Sequence, residues 1–127
     1  QGKAPVTWQE AATNSAARRS AQHEAAQFLT SAYRQGAGLV YPFGTLSGVL
    51  RETGIPLRQG LHEGNHPAWD AARARPGMFL REEWALASPG DEVSQMVAKA
   101  IEQGRNYRLR KRVASQGAPQ IEIYHLE

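Results

Sequence analysis

The sequence has no cysteine. That removes disulfides, thiolate nucleophiles and cysteine-bound metals from its chemistry, and leaves the compartment undetermined. It has no apolar run near the ~18 residues that a membrane span requires, and no signal-peptide pattern. It lacks internal repeats and low-complexity tracts. It also lacks a marked excess of one charge: 15 lysines and arginines against 12 acids leave +3 with histidines neutral. This is too mild to imply a nucleic-acid partner by itself, and none is expected.

What remains is 127 residues with 41% hydrophobic side chains. The chain suffices for one domain with a real core, and its composition is globular once glycine is counted. The opening "QG" and closing "LE" look like tag or cloning remnants (Gln1, Gly2, Leu126, Glu127). The reading is therefore a single domain over residues 1–127, cut from a larger protein.

"TWQE" fits a capping box, Thr7 with Glu10, opening a short helix. A longer one follows to Gly36, with Ala21, Ala25, Phe28, Leu29 and Ala32 on one face. "GLVYPF" reads as a strand. "TLSGVLRETG" reads as a helix capped by Thr45, with Leu46, Val49 and Leu50 inward and Gly54 as the stop. "IPLRQGLH" is a second strand with Pro56 at its start, "HPAWDAARA" a short helix with Pro67 in its first turn, and "EWALA" a third strand. "SPGDEVSQMVAKAIEQG" is the best-marked helix: Ser88 as cap, Pro89 at the first position, Asp91 completing the box, and a stripe of Val93, Met96, Val97, Ala100 and Ile101. "NYRLRKRVA" and "QIEIYHL" alternate as strands joined by the turn-rich "SQGAP", an antiparallel pair. Strands separated by helices imply right-handed parallel crossovers. The expected fold is α/β: a Rossmann-like single sheet of about five strands, mostly parallel with a C-terminal antiparallel hairpin, and helices on both faces.

His62, Glu63 and His66 spell H-E-x-x-H, a zinc-protease motif. The motif works only on a helix, where the two histidines stand one turn apart. Here Gly64 and Asn65 intervene, both poor helix formers, and Pro67 turns His66 away from helical geometry. No third ligand is evident; His125 and Glu122 lie far along the chain. The motif therefore reads as a capped loop between strand and helix, with Asn65 or His66 as the cap, and no metal site is expected.

In open α/β sheets ligands bind at the carboxyl ends of parallel strands. Three loops should gather there, "PFGT", "HEGNH" and "SPGD". They offer Thr45, His62, Glu63, Asn65, His66, Ser88 and Asp91 as candidate ligand-binding residues, with helix N-termini able to hold an anion. The plainer reading is that these groups cap helices and face water. No cofactor is implied: "GTLSG" is neither a dinucleotide fingerprint nor a phosphate-binding loop. No nucleophile elbow or Ser-His-Asp set can be assembled.

"RNYRLRKR" is the one basic cluster. Arg108, Arg110 and Arg112 would share one face of a strand, with Arg105 just before it. Tyr107, Leu109 and Val113 would share the other face. Glu122 could pair across with one arginine. A solvated, edge-protecting face is the default; lipid headgroups or nucleic acid are the alternative. By parity Lys111 falls on the apolar face, so it must snorkel or a bulge must shift the register. Trp8, Trp69 and Trp84 read as core or interface anchors, against a carbohydrate platform. Glu82 and Glu83 read as solvated.

The succession "FGTLSGVLRETGIPLRQGLHEGN", a tryptophan with "ARP", "EWALASPGDEVSQMV" and "NYRLRKRVASQGAPQIEIYH" resembles the soluble C-terminal region of bacterial multi-pass membrane glycosyltransferases. These are related to protein mannosyltransferases and use dolichyl- or polyprenyl-phosphate sugars. The likeness spans Trp8 to His125. It implies a non-catalytic extramembrane accessory domain on the extracytoplasmic side, whose partners are the membrane-embedded part of the same polypeptide and a sugar or lipid phosphate. The family's catalytic carboxylate lies near its first spans, outside this sequence, so no catalytic residue is carried over. The alternative is a free-standing Rossmann-like module that binds a small anionic or sugar ligand at the strand ends.

Overall fold

A computed structural model describes residues 3–127, with side chains from Ser15 onward except that of Leu57. The chain runs α1 (Lys3–Ala32), β1 (Leu39–Val40), α2 (Phe43–Thr53), a 3-10 turn (Leu57–Gln59), β2 (Gly60–Leu61), α3 (Ala68–Ala74), α4 (Pro76–Phe79), β3 (Trp84–Ala87), α5 (Glu92–Glu102), β4 (Tyr107–Val113) and β5 (Ile121–Leu126).

The two helices expected before Gly36 are one helix, α1. Thr7 and Glu10 fall inside its span, so neither position marks a helix start. The side chains of Thr7, Trp8 and Glu10 lie outside the described residues. The expected apolar face is real: Ala21, Ala25 and Leu29 are buried, and Phe28 and Ala32 are partly buried against the same core. Gly36 does not cap the helix but takes φ 91° in the turn that follows. Gly54 does cap α2, in the left-handed region at φ 77°, where its N–H meets the carbonyl of Leu50. The second strand is shorter than expected, because "PLRQ" after Ile55 winds into the 3-10 turn.

The five strands form one mixed sheet in the order β2-β1-β3-β5-β4. β1 is parallel to both β2 and β3, whereas β5 is antiparallel to both β3 and β4. A mostly parallel sheet is thus corrected to one with parallel and antiparallel halves. Burial explains why β5, and not β4, docks on β3. Ile121, Glu122 and Ile123 are covered on both faces of the sheet, whereas β4 buries only Tyr107 and Val113. A strand carrying Arg108, Arg110, Lys111 and Arg112 belongs at an edge, where its cations reach water.

Helices cover both faces. α1 and α2 pack with Leu39, Trp84, Leu86 and Ile123 on one side. α3 and α5 pack with Val40, Ala85, Ala87 and Tyr107 on the other. In α5 the stripe Val93, Met96, Val97 and Ala100 is buried as expected, but Ile101 is 45% exposed. The start of α5 also differs. Asp91 is its N-cap, accepting from Ser94 N–H, and Ser88–Pro89–Gly90 form the preceding turn.

A bulge in β4 between Leu109 and Lys111 shifts its register on β5. Arg108 lies opposite His125, on the α1 side with Trp84. Arg112 lies opposite Glu122, on the α5 side with Ala87. The arginines therefore do not share one face, as simple alternation would require. The bulge also resolves the Lys111 conflict: its Nζ reaches Glu24 of α1 at 3.2 Å. Glu122 does find an arginine, Arg112, at 3.4 Å.

Candidate functional site

A cleft of about 370 Å³ opens at the carboxyl ends of β1 and β3. α1 contributes Arg18, Ala21 and Gln22, and α2 contributes Gly44, Thr45 and Leu46. Ser88 and Asp91 come from the β3–α5 loop, and Ala118, Pro119 and Ile121 from the β4–β5 turn and the start of β5. Gln22 fixes the α1–α2 wall by donating to the carbonyl of Thr45 at 3.1 Å. A side chain at Gly48 would meet the end of the Gln22 side chain, which would have to turn aside.

Of the seven strand-end candidates, Thr45, Ser88 and Asp91 line this cleft. Asp91 is committed to the backbone: its Oδ2 accepts from Ser88 N–H and its Oδ1 from Ser94 N–H, both at 2.8 Å. Burial pushes its pKa up. The N–H groups of Ser88, Ser94 and Val93 pull it down, nearby Glu122 pushes up again, and the net shift is upward.

Glu63 lies beside the cleft wall. Its Oε1 accepts from Phe43 N–H at 3.0 Å and its Oε2 from Gly44 N–H at 3.2 Å. Burial raises its pKa, but hydrogen bonds from three backbone N–H groups and the nearby His62 outweigh this and leave it below the ordinary carboxylate value. The positive ends of α2 and α5 are therefore both met by the protein's own carboxylates.

The other loop residues serve the loop itself. Asn65 Oδ1 accepts from His62 N–H at 2.8 Å, and His62 Nδ1 accepts from Gly64 N–H at 3.0 Å. His66 Nδ1 lies 2.8 Å from Asp70 in the first turn of α3. H-E-x-x-H thus sits on a loop between β2 and α3, with both histidines turned to local partners and Glu63 turned to the start of α2. No three His, Asp or Glu side chains gather to hold a metal among the described residues. The His62 ring packs 5.0 Å from Phe43 and 5.4 Å from Tyr41. Phe43 is 42% exposed and directly precedes the cleft residue Gly44.

Trp69 and Trp84 are buried and form no surface platform. Glu83 is not simply solvated. It pairs with Arg34 at 2.8 Å and with His125 at 2.9 Å. The basic residues stand away from the cleft: Arg105 donates to the carbonyl of Met78, and Arg110 approaches Glu127 at 3.8 Å. Buried Glu122 accepts from Tyr124 OH at 2.9 Å as well as from Arg112. Burial and that carboxylate push Tyr124 up to about 12.

Sequence reasoning missed Arg18, Gln22 and Pro119. Each belongs to a segment remote from the three loops, and no local pattern marks it as cleft-lining. No helix among the described residues is long and apolar enough to cross a membrane. Searches against protein-family models, curated proteins and solved structures returned no match.

Proposed function

We propose that the chain is a non-catalytic accessory module that binds a sugar in the cleft at the carboxyl ends of β1 and β3. The Rossmann-like reading of the fold puts ligands at this edge. One observation carries the choice of ligand: Glu63 and Asp91 already occupy the N-termini of α2 and α5. An incoming anion would meet two carboxylates where it would otherwise find free N–H groups. The hydroxyls of Thr45 and Ser88, with Arg18, suit a neutral ligand rich in hydroxyls. Leu46, Pro119 and Ile121 suit the apolar face of a pyranose ring.

The resemblance to membrane glycosyltransferases supplies a parent for such a module: an extracytoplasmic domain beside polyprenyl-phosphate-sugar chemistry, presenting or holding a glycan. It offers no catalytic residue in this chain.

The test is amide NMR titration with unphosphorylated monosaccharides, sugar phosphates and inorganic phosphate. Sugars alone are expected to shift Thr45, Ser88 and their neighbours, and Thr45→Ala with Arg18→Ala to abolish the response. A cleft that responds only to phosphate, or to no sugar, overturns the reading. Sequencing the gene upstream of the Gln1 codon tests the parent: several spans of ~20 apolar residues are expected.

A further inference from the structure

The sheet edge opposite the cleft carries apolar groups that the core does not use. α4 buries Pro76, and Leu80 behind it is fully buried, yet Met78 and Phe79 between them are 50% and 44% exposed. Ile101, in the last turn of α5, and Leu109, in β4, are also exposed, at 45% and 40%, but on the flank of α5 away from α4 and on β4. We propose that the edge bearing Met78 and Phe79 docks on an anionic lipid bilayer.

The apolar pair is held in place. Gly77 N–H donates to Gln103 Oε1 at 2.8 Å, joining α4 to the end of α5. Arg81 Nε and Arg105 Nη2 both donate to the carbonyl of Met78, at 3.3 and 3.0 Å. Tyr107 OH donates to the carbonyl of Glu82 at 2.6 Å, fixing the segment after α4 to β4. Side chains presented by a braced segment lose little freedom on binding.

Charge identifies the occupant. The same hydrogen bonds set the guanidiniums of Arg81 and Arg105 beside Met78 and Phe79. Arg75 precedes α4. None of these three has a carboxylate within 4.0 Å among the described residues, a property they share with Arg18, Arg19, Arg51 and Arg58 elsewhere on the surface, whereas Arg73 on the neighbouring α3 is paired with Glu92. The nearby acids are Glu82, whose carboxylate accepts from Arg81 N–H, and Glu102 at the end of α5. Unpaired arginines beside an exposed aliphatic and an exposed aromatic side chain match the two layers of a bilayer interface: phosphate headgroups for the guanidiniums, and the acyl boundary for Met78 and Phe79. A nucleic acid would use the cations and leave Met78 and Phe79 idle. The inference does not depend on sugar binding, because the cleft lies at the other edge of β3.

Flotation with vesicles tests it, using phosphatidylcholine alone and phosphatidylcholine mixed with phosphatidylglycerol. Anionic vesicles are expected to retain the chain about tenfold better than neutral ones, with retention falling as salt is raised. The pair Met78→Ser and Phe79→Ser, and separately Arg75→Gln with Arg81→Gln, are each expected to lose most of that retention while keeping the native circular dichroism. A second readout avoids deletions: Phe79→Trp should be quenched by brominated acyl chains only in anionic vesicles. Equal retention on both vesicles, none on either, variants that bind like the parent, or preference for an oligonucleotide over anionic vesicles overturns the proposal.

Discussion

The carboxylate of Glu63 accepts the backbone N–H of Phe43 at 3.0 Å, across twenty residues of sequence, and that of Gly44 beside it. The β2–α3 loop thereby provides the cap that α2 lacks, since Pro42 at its N-cap position makes no side-chain hydrogen bond. Glu63→Ala is expected to lower stability by about 1 kcal/mol, the usual cost of a lost cap. Its exposure to solvent keeps the effect from being larger. The folded pKa lies below the unfolded one, so this contribution is complete above the ordinary carboxylate value and disappears as pH falls through the folded value. Urea melts of both proteins across the acid range should converge at low pH.

Asp91 shows the opposite sign. Burial raises its folded pKa above the unfolded value, despite the N–H groups it accepts. The folded state keeps the proton longer, so stability from this group declines as pH rises through the unfolded value toward the folded one. Asp91→Asn retains one acceptor oxygen and cannot ionise. Its stability deficit against the parent is expected to narrow from acid to neutral pH, as measured by paired denaturation curves.

His125 lies between two carboxylates, with Nε2 2.9 Å from Glu83 and Nδ1 2.7 Å from Glu127, and its ring is 4.3 Å from that of buried Trp84. Burial lowers its pKa, but the hydrogen bonds and charges of Glu127 and Glu83 outweigh it and raise the net value. The stabilisation is complete below the unfolded value near 6.5 and is lost as pH rises through the folded one. The melting temperature should fall over that interval, and His125→Gln should flatten the decline. An unchanged slope in the variant would assign the pH dependence elsewhere.

Tyr41 and Gly60 form a tight pair at the β1–β2 border. A Cβ at Gly60 would clash with Cε1 at the edge of the Tyr41 ring, which is fully buried. Gly60→Ala is expected to cost about 1–3 kcal/mol, the range for overpacking. The Tyr41 hydroxyl is buried without a hydrogen-bond partner. Tyr41→Phe is therefore expected to be neutral or to stabilise by about 1 kcal/mol, because it removes an unpaired polar group. Thermal unfolding of the two variants gives opposite signs if this packing is right.

Much of the fold was legible locally. The stripes Leu46–Val49–Leu50 and Val93–Met96–Val97–Ala100 follow the helical period, and those residues are buried. The stop at Gly54 follows from its tolerance of positive φ. "SQGAP" joins β4 and β5 as an antiparallel pair because turn chemistry acts over a few residues. Local pattern failed where the deciding partner is distant. Ile101 fits the α5 stripe yet is exposed at its flank. Simple alternation put Arg108 and Arg112 on one face, and the bulge after Leu109 separated them.

The sequence alone determined most of the helices and strands and the apolar stripes of α2 and α5, because periodicity and backbone preference are properties of neighbouring residues; it did not show that α1 is one helix, or that α4 exists. Only the tertiary structure decided the strand order, with β5 inserted between β3 and β4. It also decided the use of the candidate residues: Thr45, Ser88 and Asp91 around a cleft with Arg18 and Gln22, Glu63 on the end of α2, and His62 and His66 on their own loop. Hydrogen bonds and charge pairs act over a few ångströms of space. Nothing in the spacing of Phe43 and Glu63 along the chain records that folding brings them together.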